Sequence, residues 1–289
     1  MLQGRHPVFD SPLVGLIVWL VMIDVLHTLD LGICQHIGGS IFYLLAFDAD
    51  LPGNLTDRLN SLWLHCCKAY DALGTPAGER LSHPQFFGIW DKSKSYLPTK
   101  YPVLHSKGAV GRHAMAMLKL VLRRLGPRTE PFEHSRALLE GLCKFYDVIM
   151  TADMWLTPGE ARDASEGLLE AGVHHQALCH LHETAGRQLF YMTEKAHYAQ
   201  HIGLDLLESG FNPRFGWTYG DEDFMGRIAQ VAKPCLRGRG PLRVGAALFF
   251  FAGASAFTCG GNASWTDVDL ANTRKQTNDI CNTSGPGSL

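Results

Sequence analysis

Residues 108 to 125 read GAVGRHAMAMLKLVLRRL. Apolar side chains recur in this stretch at the spacing of an amphipathic helix, and the pattern ends in Arg123 and Arg124, cations of the right sign for a helix C-terminus. The same period returns on both sides of it. Leu26 to Leu45 (LHTLDLGICQHIGGSIFYLL) keeps near-helical spacing with an interruption at Gly38-Gly39, which predicts one kinked helix or two short ones. Asn54 to Leu73 starts with an Asn cap after Pro52-Gly53 and holds Leu55, Leu59, Leu62 and Cys66 on one face. Pro131 to Leu156 and Pro158 to Gly210 predict at least two more long amphipathic helices, the second opened by Thr157-Pro158-Gly159-Glu160 with proline at the first helical position. Between Gly74 and Ser106 the prolines 76, 84, 98 and 102 break the period into an irregular connector with room for one short helix. The chain reads as mainly α, a helical bundle.

Composition bounds the rest. With 289 residues, 46% hydrophobic and 19% charged, the chain can bury a sizeable core. A formal net charge of -2, from 26 basic against 28 acidic residues, gives no global attraction to nucleic acid or to an anionic membrane, so such a partner would have to meet a local patch. Eight cysteines with one adjacent pair, Cys66-Cys67, and no CxxC form neither a disulfide framework nor a zinc ribbon, which points to a reducing compartment, nuclear or cytoplasmic. Three N-x-S/T sequons, at Asn54, Asn262 and Asn282, matter only in a secreted chain.

Two apolar stretches need a membrane test. Leu13 to Ile23 is too short to span a bilayer, and Asp24, His27 and Asp30 follow it where a cleavage site or flank would stand, so it reads as a core segment. Val244 to Phe257 (VGAALFFFAGASAF) is longer in effect but rich in Gly, Ala and Ser. It reads as core, with a membrane-associated protein anchored by 244–257 as the alternative. These features divide the chain into a helical domain at 1–234, an apolar segment at 235–260 and a disordered polar tail at 261–289.

Four constellations carry possible chemistry. In DVLHTLDLG, Asp24, His27 and Asp30 are three apart, so on an α-helix they share a face and the carboxylate can orient the imidazole; the bland version is a capping Asp beside a satisfied core histidine. In EKAHYAQHIG, Lys195 precedes His197 and His201, an i, i+4 pair able to take a metal or a phosphate but without the Glu a zincin needs. In VHHQALCHLH, His174, His175, Cys179, His180 and His182 crowd one helix, either as a solvated histidine face or as a zinc pair at His175 and Cys179. In WTYGDEDFMGR, Asp221, Glu222 and Asp223 are consecutive, a solvated acidic turn or a site for a hard divalent cation.

Together and in this order, the pieces resemble the C-terminal half of the DDE transposases of the CACTA and hAT-like group. In that group a D-x-x-H motif, a helical insertion and a K-x-H-x-x-x-H helix precede the last catalytic acid; here Asp24 to His27, the region from about Phe47 to Gln188, and Lys195, His197 and His201 look like those parts. Lys107-Gly108 with Arg112-His113 looks like a further basic motif of the insertion. The resemblance spans roughly Asp24 to Lys233 and implies a remnant of an RNase H-like α/β domain beside the helical bundle. It implies Glu222 as the third catalytic carboxylate, with Asp221 or Asp223 in its place should the register shift by one residue, the three acids forming a Mg or Mn site and Asp24 and His27 joining Glu222 as catalytic residues. Such a clamp would activate the attacking oxygen and stabilise the leaving one. It further implies DNA as a partner, met through Lys107, Arg112, His113, Lys195, His197 and His201, with Arg123 and Arg124 as additional cations, and it leaves a homo-oligomer open. Upstream of Asp24 the only acid is Asp10, so the first catalytic aspartates have no counterpart and no nuclease or transposase activity is expected of this chain alone. A hydrolase that uses the histidines and acids directly to bind metal is a second alternative.

Overall fold

The computed structural model describes residues 23–89 and 101–219. The chain divides into two compact units, Met1–Thr218 and Tyr219–Leu289, and apart from Tyr219 the described residues belong to the first. The expected boundary at 234, the apolar 244–257 segment and the polar tail all lie outside the described residues.

A π-helical turn, Leu26–Ile33, leads into α1 (Cys34–Phe47), followed by α2 (Leu55–Leu73), the short α3 (His83–Gly88), α4 (Gly108–Leu125), α5 (Glu130–Thr151), α6 (Pro158–Thr184) and α7 (Glu194–Ser209). Among the described residues there is no strand, only an isolated bridge between Trp155 and Phe211. The bundle is mainly α, as the periodicity predicts.

Local chemistry sets where the helices start. Asn54 accepts from the Asp57 amide at 3.1 Å while Asp57 accepts from the Asn54 amide at 3.2 Å, a reciprocal cap that satisfies two otherwise orphaned donors of α2. Thr157 and Glu160 do the same for α6, and Ser82 and Gln85 for α3. α2 ends on Gly74 in the left-handed region at φ +64°.

The first long helix departs from the sequence expectation. Gly38-Gly39 does not interrupt it; the break lies at Gly32, whose φ and ψ are -101° and -108°. The two glycines instead let a loop approach: a Cβ at Gly39 would stand 2.5 Å from the Pro102 carbonyl oxygen. Leu26–Phe47 is long and apolar enough to cross a membrane, yet 78% of its apolar window is buried inside the fold, so it serves the core.

α4 packs on α1, α2 and α5, and α5 and α6 form the most extensive helix pair, which α7 extends before closing back on the π turn. Fully buried Phe42, Phe86, Phe132, Phe145 and Tyr70 fill the interior, each contributing roughly 1.5–3 kcal/mol by burial. Where α5 crosses α6 the backbones nearly touch, since a Cβ on Gly141 would lie 2.4 Å from the Gly167 carbonyl oxygen. Only glycine permits that approach.

Past α7 the chain is tied across the C-terminal end of α5. Buried Asn212 donates to the carbonyls of Ile149, Ala152 and Asp153 at 2.9, 3.3 and 3.1 Å, and the Arg214 guanidinium donates to that of Met150 at 2.6 Å. Those bonds cap orphaned carbonyls. They also set the course of the segment that ends at Thr218.

Candidate functional site

Asp24 caps the turn that opens the first helix. Its Oδ1 accepts from the Leu26 amide at 3.2 Å and its Oδ2 from the His27 amide at 3.1 Å. Oδ2 also meets the His27 Nδ1, so the carboxylate fixes the imidazole as the three-residue spacing predicts. From 194 residues further along, Thr218 adds its amide to Oδ1 at 3.1 Å and its hydroxyl to Oδ2 at 2.8 Å. Burial pushes the Asp24 carboxyl up, but the bonds from His27 and Thr218 outweigh it and hold the group below the usual carboxylate value.

Both Asp24 oxygens are thus engaged by protein donors, which is the character of a helix cap. That donor set does not fit a resident Mg or Mn ion, whose oxygen ligands must turn lone pairs toward the metal. The triplet Asp221, Glu222 and Asp223 lies outside the described residues. His27 is not a core histidine either, because its side chain is 52% exposed.

Asp30 departs from the shared face expected of it. It is fully buried and accepts the Tyr146 hydroxyl from α5, whose ring hydroxyl also meets the Cys34 thiol at 3.7 Å. The cause is the π turn: a wider helix rotates each residue less than an α-helix does, so a spacing of three no longer stacks side chains on one face. Tyr146 and Thr218 had no signal in the sequence. Their partners are more than a hundred residues away, so no local pattern announces either bond.

The basic candidates separate into two groups. At the near end of α4, exposed Lys107 stands one turn before Gly111, where a Cβ would sit 2.8 Å from the Asp30 carbonyl oxygen. Arg112 lies over the Trp217 ring at 5.4 Å. From α7, the Lys195 stem runs against Gly32, where a Cβ would stand 2.8 Å from Lys195 Cδ and from the His27 carbonyl oxygen. Lys107, Arg112 and Lys195 therefore collect around the same π turn as Asp24 and His27. Arg123 and Arg124 sit at the other end of α4, about 24 Å from Lys107 by helix rise, and Arg123 is paired there with Glu140 at 2.9 Å.

The histidines divide as well. His113 is taken up by Glu79 at 2.7 Å, with burial and then Arg112 holding its pKa down against that carboxylate. His197 and His201 are exposed, with ring nitrogens 3.0 Å apart, the surface pair expected at i, i+4. The expected solvated face of α6 forms only in part: His180 is exposed and His174 half-buried, whereas His175 and His182 are each 1% exposed, because α6 is covered by α5 on one side and α7 on another. His175 and Cys179 recruit no third ligand, and among the described residues no group of three His, Cys, Asp or Glu is gathered for a metal.

Compared with protein-family models, with curated proteins and with solved structures, the chain matches none.

Proposed function

We propose that the chain is a transposase-derived helical protein, with a remnant of an RNase H-like domain, that binds the phosphate backbone of nucleic acid and carries no complete catalytic site of its own. One observation supports the reading above the others. The motifs that resemble transposase parts are scattered over about 170 residues, yet the Asp24 to His27 segment, Lys107 with Arg112, and Lys195 come together around one helical turn. Three cations at one end of a protein that is near neutral overall suit a local, sequence-independent contact with phosphates. The saturated Asp24 carboxylate speaks against metal-dependent strand cleavage through that residue.

Binding of a labelled DNA duplex across a salt series tests it. Three phosphate contacts give a slope of about -3 in log affinity against log salt. Lys107→Gln and Lys195→Gln each reduce that slope by about 1, while Arg124→Gln at the far end of α4 leaves it unchanged. Affinity that does not vary with salt, or equal losses from variants at the two ends of α4, would overturn the proposal.

A further inference from the structure

α5 and α6 run side by side in a register fixed by the contact of Gly141 with Gly167. Seven residues before Gly141 stands His134, and seven after Gly167 stands His174. Two helical turns along the same seam, in opposite directions on antiparallel helices, bring these two residues face to face. Their Nδ1 atoms are 2.9 Å apart and their rings 5.1 Å between centroids, in a half-buried position. The glycine contact fixes the register in which the two rings meet.

Two nitrogens at that separation can share a proton or share a metal ion. Imidazole nitrogens bound to one ion at about 2.0–2.1 Å stand about 2.9 Å apart at a right angle and about 3.3 Å apart at the tetrahedral angle, so the observed separation suits a ligand pair once the rings turn both lone pairs toward a common ion. Glu170 stands one helical turn from His174, and its carboxylate favours a cation there.

We propose that His134 and His174 form a two-imidazole site for a borderline divalent transition ion of the zinc, nickel or copper class, which staples α5 to α6. Imidazole is the ligand those ions select. Because no third protein ligand is gathered among the described residues, water completes the coordination and the ion is exchangeable. His197 and His201 make a superficially similar pair at 3.0 Å, but both lie on one exposed helix, so an ion there braces a single turn. An ion between His134 and His174 joins two elements that meet only in the folded chain and raises the unfolding temperature.

The test is titration of Zn²⁺ and Ni²⁺ into the metal-stripped full chain, read by calorimetry and by thermal unfolding, beside His134→Ala, His174→Ala and the double variant His197→Ala with His201→Ala. The expected result is an ion whose binding raises the melting temperature, weakened by more than about tenfold in either of the first two variants and kept in the third. No binding, or binding lost only in the His197 and His201 variant, overturns the site. Should His134→Ala or His174→Ala fail to fold, imidazole nitrogen shifts in the unaltered protein decide. Zn²⁺ must move the signals of His134 and His174, and a titration that moves neither overturns the proposal.

Discussion

His182 lies flat against Phe190, with ring centroids 5.5 Å apart and planes 17° apart, and neither of its ring nitrogens has a hydrogen-bond partner. Burial lowers its pKa to about 4, with Arg187 adding to the shift and Asp48 opposing it. His175 falls to about 4 for the same leading reason, against a bond to the Phe190 backbone. A histidine depressed in the fold binds fewer protons than in the unfolded chain, so its contribution is present above pH 6.5 and drains away as the pH drops toward 4. Replacing His182 by Phe keeps the stack and removes both unbonded nitrogens. Urea unfolding at pH 5 should find His182→Phe more stable than the unaltered chain by roughly 1–3 kcal/mol, with a smaller difference at pH 7.5. The sequence displays these histidines as a polar run, and only the burial of α6 between two neighbours reverses that reading. Asp24 and His27 were legible because their bond is local; Thr218, the partner that completes it, was not.

Among the helices, start signals were the most readable feature. Asn54 and Thr157 form the expected caps with the residue three positions on, and the last two arginines of α4 fall in its final turn, whereas the matching cap at Ser82 stands in the stretch that reads as an irregular connector. Capping is a short-range interaction written in adjacent residues, whereas a glycine's role depends on what another element brings against it. Gly38-Gly39 reads as a break and is a docking surface; Gly141 and Gly167 give no local signal and set the closest helix contact. Two changes on α6 separate the cases. Gly167→Ala would place its Cβ 2.8 Å from the Gly141 carbonyl oxygen, costing about 1–3 kcal/mol, while at Gly172 the nearest atom is Gln200 Nε2 at 4.0 Å. Gly172→Ala should therefore stabilise by about 0.4–1 kcal/mol through the unfolded chain. Thermal unfolding of both variants checks the opposite signs, and a loss at Gly172 as large as at Gly167 would contradict the packing described.

Over the whole molecule, the helical class was legible because hydrophobic period survives any tertiary arrangement. The ring of contacts that carries α7 back to the π turn was not, because it depends on pairings across the full length of the unit. The same limit applies to function. Order of motifs suggested a lineage, and convergence of Lys107, Arg112 and Lys195 supports a surface, but Asp221, Glu222 and Asp223 lie outside the described residues.

The bond between Asp24 and Thr218 has a bearing on how the unit opens. Joining points 194 residues apart, it turns the intervening chain into a loop clasped at its ends. Fraying of the first turn and release of the last segment then become one event with one equilibrium constant, instead of two independent local openings. Asp24→Ala removes the clasp, and amide exchange at Thr28 and Phe215, which lie at the two ends but donate to backbone carbonyls and not to the Asp24 side chain, should accelerate together by about tenfold, the scale of a lost cap. Acceleration at Thr28 with Phe215 unmoved would mean that the two ends breathe separately. If they move as one, whatever loosens one end of the unit loosens the other with it.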